Sequence, residues 1–272
     1  MNYSIEEVSK DFTAGRLNTT ALDSVSLAVD SGTHVAVLGS SGAGKTTLFR
    51  LLNATLRPSR GCVRVDGHDF GAMSGAELRG ARRRIGTIYQ QHNLVPTLTS
   101  LQNTLCGCLG RWSLFQTLGS IVNPGKADVQ QAMNALELVG LADKRNARAD
   151  ELSGGQQQRL AIARVLMQKP EVILADEPIA SLDPALAEEI ISLLIRVGSE
   201  SKATLIVSVH RVELALEHFP RVIGLGSGKM RFDLPPNMVR NDLLQDLYGN
   251  HSPGGRRVQD EDRFQREFGC SR

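Results

Sequence analysis

The chain has 272 residues, 41% of them hydrophobic and 4% aromatic, and its 31 basic and 29 acidic residues give a formal net charge of +2. This balance excludes the strong basic field of a typical nucleic-acid-binding protein, and the composition favours an aliphatic α/β core. No apolar run approaches the roughly 20 residues that cross a bilayer, and the first eleven residues lack an apolar leader core. We therefore expect a chain that stays in the cytoplasm.

The first half of the chain predicts strands around one loop and one helix. Within the first thirty residues, Val25, Leu27 and Val29 alternate with smaller or polar residues, which predicts short antiparallel strands. The later predicted elements are a compact strand over residues 33–38, a helix over 45–56, and strands over 61–65 and 85–89. A loop rich in glycine and serine joins the strand that ends at residue 38 to the helix.

The pattern becomes helical between about residues 95 and 152. Val129, Met133, Leu136 and Val139 fall on one helical face. The apolar segment 108–122, which contains Trp112, predicts either a helix packed on its own subdomain or a surface that meets a partner. The sequence leaves both interpretations open.

Strands and helices alternate again in the second half, which predicts βαβ units and a mostly parallel sheet. The predicted elements are a helix from after residue 156 to 168, a strand over 172–175, a helix over 184–197, and strands over 204–209 and 222–225. Asp183 is the candidate N-cap of the helix that opens at Pro184. The polar segment 251–272 is expected to be disordered.

One loop carries the spacing G-x-x-x-x-G-K-[ST]. It consists of Gly39, Ser40, Ser41, Gly42, Ala43, Gly44, Lys45 and Thr46, with Thr47 next. Its glycines let consecutive backbone N–H groups point at phosphate oxygens, and the helix that begins near Lys45 adds its positive dipole end. Lys45 would contact the β- and γ-phosphates, and Thr46 would supply a hydroxyl to Mg²⁺. The loop predicts a site for ATP and Mg²⁺.

Two acids end the predicted strand over residues 172–175. Asp176 and Glu177 would stand at the carboxyl end of a buried strand, where α/β sheets place their ligands. Asp176 is the candidate Mg²⁺ ligand, and Glu177 is the candidate general base for the attacking water. Together with the phosphate loop they predict a P-loop NTPase.

A second candidate phosphate-binding segment indicates which kind of P-loop NTPase this is. Leu152 is followed by Ser153, Gly154, Gly155 and Gln156, which spell LSGGQ at the start of a predicted helix. With this segment the chain resembles the ATPases of ABC transporters over residues 1 to about 250. In that family the segment closes over the ATP of a second subunit, so the resemblance implies a dimer of two copies.

The resemblance assigns further residues. Gln90 looks like the glutamine that contacts Mg²⁺ and senses the permease, with Gln91 adjacent as an alternative register. Asp183 belongs to a segment that crosses the dimer interface, and His210 resembles the switch histidine near the γ-phosphate. Phe12 resembles the aromatic residue that stacks on adenine, since it keeps a π-face.

The resemblance also implies an architecture and partners. It predicts an α/β, RecA-like P-loop core over residues 1–90 and 157–250, with an N-terminal antiparallel β subdomain and a helical subdomain over about 91–156. The partners implied are transmembrane permease subunits and, indirectly, a periplasmic or extracellular substrate-binding protein. The chain would lie peripherally on the cytoplasmic face of the inner membrane.

The cargo is predicted from resemblance alone, because such a subunit never touches it. The run Arg83–Gln91, the insert around Trp112 and the context of LSGGQ look like the ATPases of phosphonate importers. This favours phosphonate or a reduced-phosphorus anion such as phosphite. The alternatives are an ABC transporter for another cargo, such as an amino acid or a lipoprotein, and a non-transport ABC ATPase. Against the latter, the interval between Gln90 and Leu152 is too short for a long coiled coil.

Overall fold

The computed structural model describes residues 1–14, 17–91, 93–110, 124–180 and 182–248. The strands in these ranges are β1 (Tyr3–Ala14), β2 (Leu17–Val29), β3 (His34–Leu38), β4 (Arg60–Val65), β5 (His68–Asp69), β6 (Ile85–Ile88), β7 (Val172–Asp176), β8 (Thr204–Val209), β9 (Arg221–Gly226) and β10 (Lys229–Leu234). The α-helices are α1 (Lys45–Leu52), α2 (Gly75–Arg83), α3 (Ser100–Leu105), α4 (Lys126–Leu138), α5 (Gly154–Gln168), α6 (Pro184–Ser201), α7 (Val212–His218) and α8 (Asn241–Tyr248). Short 3₁₀ helices cover Cys106–Cys108, Ala142–Lys144, Ala149–Glu151 and Pro236–Met238.

The larger sheet has the strand order β10-β9-β3-β8-β7-β6 and is parallel except for β10, which pairs antiparallel with β9. This confirms the predicted mostly parallel sheet. Both faces of β3 are buried, as is typical of parallel strands covered by helices. Because β3, β7 and β8 are parallel, their carboxyl ends meet at one edge and bring the segments that follow them together.

A second, antiparallel sheet has the order β2-β1-β4-β5. Its first two strands have 12 and 13 residues, so the prediction of short strands was wrong in length. The register between them shifts at several points, and Glu7 and Ser24 take left-handed conformations with φ of 47° and 50°. Such bulges interrupt the alternation of side chains without ending the strands.

The core has two layers, one on each face of the larger sheet. Ala36 and Leu38 of β3 pack on the side of α5, α6 and α7, whereas Val35 and Val37 face α1 and the antiparallel sheet. The larger sheet is therefore the central layer of the molecule. None of the helices among the described residues has the length and apolar character needed to cross a bilayer.

Helices α3 and α4 pack on each other and on α5. Leu136 and Val139 are fully buried, while Met133 only borders the core. This confirms the helix that was predicted from their spacing. Residues 111–123, with Trp112, lie outside the described residues, and so does the tail 249–272.

Several element ends differ from the predictions, and local chemistry explains them. Helix α1 ends at Leu52 and not at residue 56, since Ala54 turns left-handed with φ of 57°. Helix α5 begins at Gly154 because Ser153 caps it. Helix α6 continues to Ser201, where Lys202 ends it in a left-handed conformation.

Helix α2 was not predicted, although its start carries a recognisable signal. Ser74 accepts a hydrogen bond from the Glu77 N–H, and the Glu77 carboxylate accepts one from the Ser74 N–H. This capping box satisfies two backbone donors at the helix start.

Candidate functional site

The phosphate loop follows β3 and needs glycine at two positions. A Cβ atom on Gly39 would lie 2.3 Å from the carbonyl oxygen of Leu225. Gly44 has φ of 104°, and a Cβ there would lie 2.5 Å from the carbonyl oxygen of Ala21. Neighbouring backbone therefore fixes the path of the loop before α1 begins.

Lys45 lies under the loop with 3% of its side chain exposed. Its Nζ donates to the carbonyl oxygens of Gly39 at 2.8 Å and Ser40 at 3.1 Å, and it stands 3.4 Å from Oε1 of Glu177. Burial lowers the pKa of this ammonium group, and the carboxylates of Glu177 and Asp176 oppose that shift. The structure thus places one cation between the loop and the paired acids.

Asp176 is the buried last residue of β7. Its Oδ1 accepts a hydrogen bond from the hydroxyl of Ser208 at 2.8 Å, and the Thr46 hydroxyl binds the same carboxyl group. Burial raises the pKa of Asp176, whereas these two hydrogen bonds lower it. A carboxylate beside a hydroxyl is an all-oxygen donor set of the kind that Mg²⁺ prefers. The residues present fit the predicted ion.

Glu177 points to a different set of partners. Its backbone is left-handed, with φ of 50°, and its Oε1 lies 2.6 Å from Nε2 of His210. The side chain is 16% exposed, so water can reach it. A carboxylate held by an imidazole and an ammonium group beside a phosphate loop has the surroundings of a general base.

Ser208 is the residue that sequence reasoning missed. It lies fully buried on β8, two residues before His210, and contacts both Asp176 and the backbone of Glu177. The signal available in the sequence was a hydroxyl in an otherwise apolar strand end, two positions before the candidate switch histidine. Spacing alone does not show which strand lies opposite, so this contact required the structure.

The LSGGQ segment forms the start of α5. Ser153 accepts from the Gln156 N–H at 3.4 Å, and its own N–H donates to Gln156 Oε1 at 3.0 Å. Gly154 is exposed, and a Cβ there would meet nothing within 4 Å. Gly155 is buried, and a Cβ there would lie 2.3 Å from Cδ2 of Leu186 on α6. The segment presents an open helix N-terminus, with its fourth residue, Gly155, packed on the neighbouring helix.

Three further predicted site residues lie apart from the group around Lys45, Asp176 and Glu177. Phe12 is 39% exposed on β1, with the Lys10 ammonium 5.3 Å from its ring centroid. Gln90 is exposed in the turn after β6. Asp183 caps α6 by accepting from the Leu186 N–H at 3.1 Å, as predicted.

The structure therefore connects five predicted side chains, and Lys45 joins them to the predicted phosphate loop at Gly39 and Ser40. The connected set is Lys45, Thr46, Asp176, Glu177 and His210. Among the described residues, no hydrogen bond or ion pair joins Ser153–Gln156, Gln90 or Phe12 to that set. One chain thus carries two separate candidate phosphate-binding surfaces.

A strand, a glycine-rich loop with a buried lysine, and paired acids at the carboxyl end of a second parallel strand in the same sheet make this a nucleotide-binding cassette of the P-loop class. The family model described as ABC transporter matches residues 22–180. The chain belongs to the ABC transporter family.

Curated relatives extend this likeness over most of the chain. The phosphonates import ATP-binding protein PhnC of Pseudomonas fluorescens is 44% identical over 230 residues, which cover 85% of this chain and 86% of the relative. A protein of the same name from Pseudomonas aeruginosa is 45% identical, with 85% of each chain covered. The one from Lactococcus lactis is 40% identical and covers 89% of this chain and 97% of its own.

Solved structures agree with the fold. A dimeric bacterial ABC transporter cassette superposes with a TM-score of 0.77 at 31% identity, covering 86% of this chain and 98% of that chain. The same coverage and identity, with a TM-score of 0.75, hold for a dimeric ATP-binding cassette in a post-hydrolysis state with ADP and Pi. The predicted P-loop core of the ABC type is confirmed.

Proposed function

We propose that this chain is the ATP-binding and ATP-hydrolysing subunit of an ABC importer that takes up phosphonates. The observation that carries the ATPase part is the connected set around Lys45, Asp176 and Glu177. The cargo part is supported by relatives named as phosphonate importers at 40–45% identity over most of the chain.

The chemistry of ATP hydrolysis divides among the site residues. The N–H groups of the loop and the Lys45 ammonium bind the β- and γ-phosphates, and Phe12 stacks on the adenine. Thr46, Asp176 and Gln90 would hold Mg²⁺, which would supply positive charge against the phosphates when bound. Glu177 takes the proton of the attacking water, and His210 holds Glu177 and polarises the γ-phosphate.

The second phosphate-binding surface closes a site on another copy of the chain. The exposed N-terminus at Ser153–Gln156 has N–H groups and a helix dipole suited to a γ-phosphate. In our proposal, this segment and Asp183 face the nucleotide of the partner, which makes the working form a dimer. The dimeric cassettes among the solved relatives support this arrangement.

The permease would dock beside the Gln90 loop. A cavity of about 500 Å³ is lined by Tyr89 and by the basic residues Arg79, Arg82, Arg83 and Arg164. Through this contact, a rotation of the helical subdomain (residues 91–156) against the core (residues 1–90 and 157–250) would be transmitted to the permease. The chain would then lie on the cytoplasmic face of the inner membrane, with a substrate-binding protein on the other side.

Reconstitution in proteoliposomes with the permease and binding protein of the same operon tests the proposal. We expect ATP hydrolysis to rise when the binding protein carries a phosphonate, and labelled phosphonate to enter the vesicles. A parallel arm with phosphite separates the two reduced-phosphorus cargos. Stimulation by an amino acid, with none by either phosphorus anion, would contradict the cargo and leave the ATPase intact.

A further inference from the structure

The hydroxyl of Ser208 contacts both acids of the site. It carries one proton, and that proton goes to the Asp176 carboxylate at 2.8 Å, since a carboxylate can only accept. Its oxygen in turn accepts the backbone N–H of Glu177 at 2.7 Å. One buried atom thus joins the side chain of one acid to the backbone of the next.

Strand pairing fixes this geometry. Ser208 on β8 is the parallel register partner of Asp176 on β7, so the two side chains point to the same face of the sheet. Both residues are buried, with Ser208 fully so. If the hydroxyl were removed, bulk water could not reach its place, and the Glu177 N–H would lose its partner.

We propose that Ser208 is a positioning residue for ATP hydrolysis, which orients the Asp176 carboxylate for Mg²⁺ and fixes the backbone turn that aims Glu177 at water. The assignment rests on the proposed ATPase function. Ser208 lies outside the phosphate loop, the paired acids and the switch histidine, which are the parts of the site predicted from the sequence.

Two consequences follow from the contacts. With Oδ1 of Asp176 engaged by Ser208, the carboxylate keeps one orientation beside Thr46. Glu177 has φ of 50°, which is unfavourable for a residue with a Cβ, and the hydrogen bond to its N–H supports that turn. Hydrogen-bond partners of ligating carboxylates commonly contribute about 10- to 100-fold to metal affinity or activity.

The test compares Ser208→Ala, the conservative Ser208→Thr and the matched control Thr204→Val. Thr204 lies on the same strand and face and is fully buried. Its hydroxyl accepts the Gly32 N–H at 2.9 Å and donates to the Met1 carbonyl oxygen at 3.4 Å, and neither is a predicted site residue. For each protein we would measure kcat, KM for ATP, the Mg²⁺ concentration for half-maximal hydrolysis, and the thermal shift produced by ADP with Mg²⁺ and with EDTA.

For Ser208→Ala we expect kcat to fall about tenfold or more and half-maximal Mg²⁺ to rise by a similar factor. The Mg²⁺-dependent part of the thermal shift should shrink, while the shift with ADP in EDTA stays at the wild-type value. Ser208→Thr should restore most of the loss, and Thr204→Val should keep wild-type kinetics whatever its melting temperature.

Two outcomes distinguish a failure of the proposed role of Ser208 from a failure of the proposed ATPase function. A wild-type chain that hydrolyses no ATP, alone or with its permease, would overturn the proposed function and this assignment with it. An active wild type, with Ser208→Ala matching Thr204→Val in kcat and Mg²⁺ dependence, would overturn the role of Ser208 alone.

Discussion

At the scale of single residues, Asp176 and Glu177 are neighbours in sequence with different surroundings. Asp176 ends the strand and is buried among hydroxyl groups. Glu177 takes a left-handed backbone, which turns its side chain toward Lys45 and His210. Because the turn separates the two carboxylates, one can hold a metal ion while the other handles a proton.

Replacing Glu177 by glutamine removes the base and keeps the shape of the side chain. We expect kcat to fall by about 10² or more, while ATP still binds and holds the dimer closed. Light scattering with ATP should then report a dimer that persists after nucleotide is removed from the buffer. Lys45→Ala is the contrasting variant, because it should weaken nucleotide binding itself. A Glu177→Gln protein with a wild-type rate would rule out Glu177 as the base.

Asp176→Asn should raise stability while abolishing Mg²⁺-dependent hydrolysis. Burial raises the pKa of Asp176 above its unfolded value, so this group's contribution to stability is full at low pH and is lost as pH rises through the folded pKa. In EDTA, we expect the variant to melt above wild type at pH 7.5, with a difference that shrinks toward about pH 4. A difference that grew on acidification would contradict this account of the carboxyl group.

At the scale of elements, the sequence predicted what is local and missed what depends on register. The phosphate loop and the LSGGQ segment are contiguous, so their chemistry was visible from spacing. The contact of Ser208 with Asp176 spans 32 residues and depends on how β8 aligns with β7. The long strands β1 and β2 were also missed in length, because their bulges hide the alternation.

Packing of the helical part on α5 depends on Gly107. A Cβ there would lie 2.1 Å from the carbonyl oxygen of Arg164 and 2.9 Å from Cβ of Met167. Since backbone cannot swing aside, Gly107→Ala should lower the free energy of unfolding by about 1–3 kcal/mol. Gly80→Ala is the matched control, because it lies on exposed α2 with no atom within 4 Å of its Cβ. In urea denaturation, the free energy of unfolding of Gly80→Ala should equal that of the wild type or exceed it by about 0.5–1 kcal/mol. Equal stabilities for the two variants would contradict the close contact.

At the scale of the whole molecule, the same chain carries a complete phosphate loop and a separate LSGGQ surface. The phosphate loop is built around Lys45 at the carboxyl end of β3, and the LSGGQ surface is the open start of α5 at Ser153. A site that needs both surfaces can be completed by a second copy related by two-fold symmetry, because each chain then places its LSGGQ surface against the phosphate loop of the other.

Mixing two inactive variants tests this sharing directly. Lys45→Ala spoils the phosphate loop, and Ser153→Arg places a bulky charge on the LSGGQ surface, so each homodimer should be inactive. A mixed dimer has one damaged site, which carries both changes, and one intact site formed by the loop of the Ser153→Arg chain and the LSGGQ surface of the Lys45→Ala chain. Because random pairing makes half of the dimers mixed, ATP hydrolysis should recover to at most about a quarter of the wild-type rate. If each chain closed its own site, no intact pair would arise and mixing would recover nothing, even where tagged pull-down shows that mixed dimers have formed.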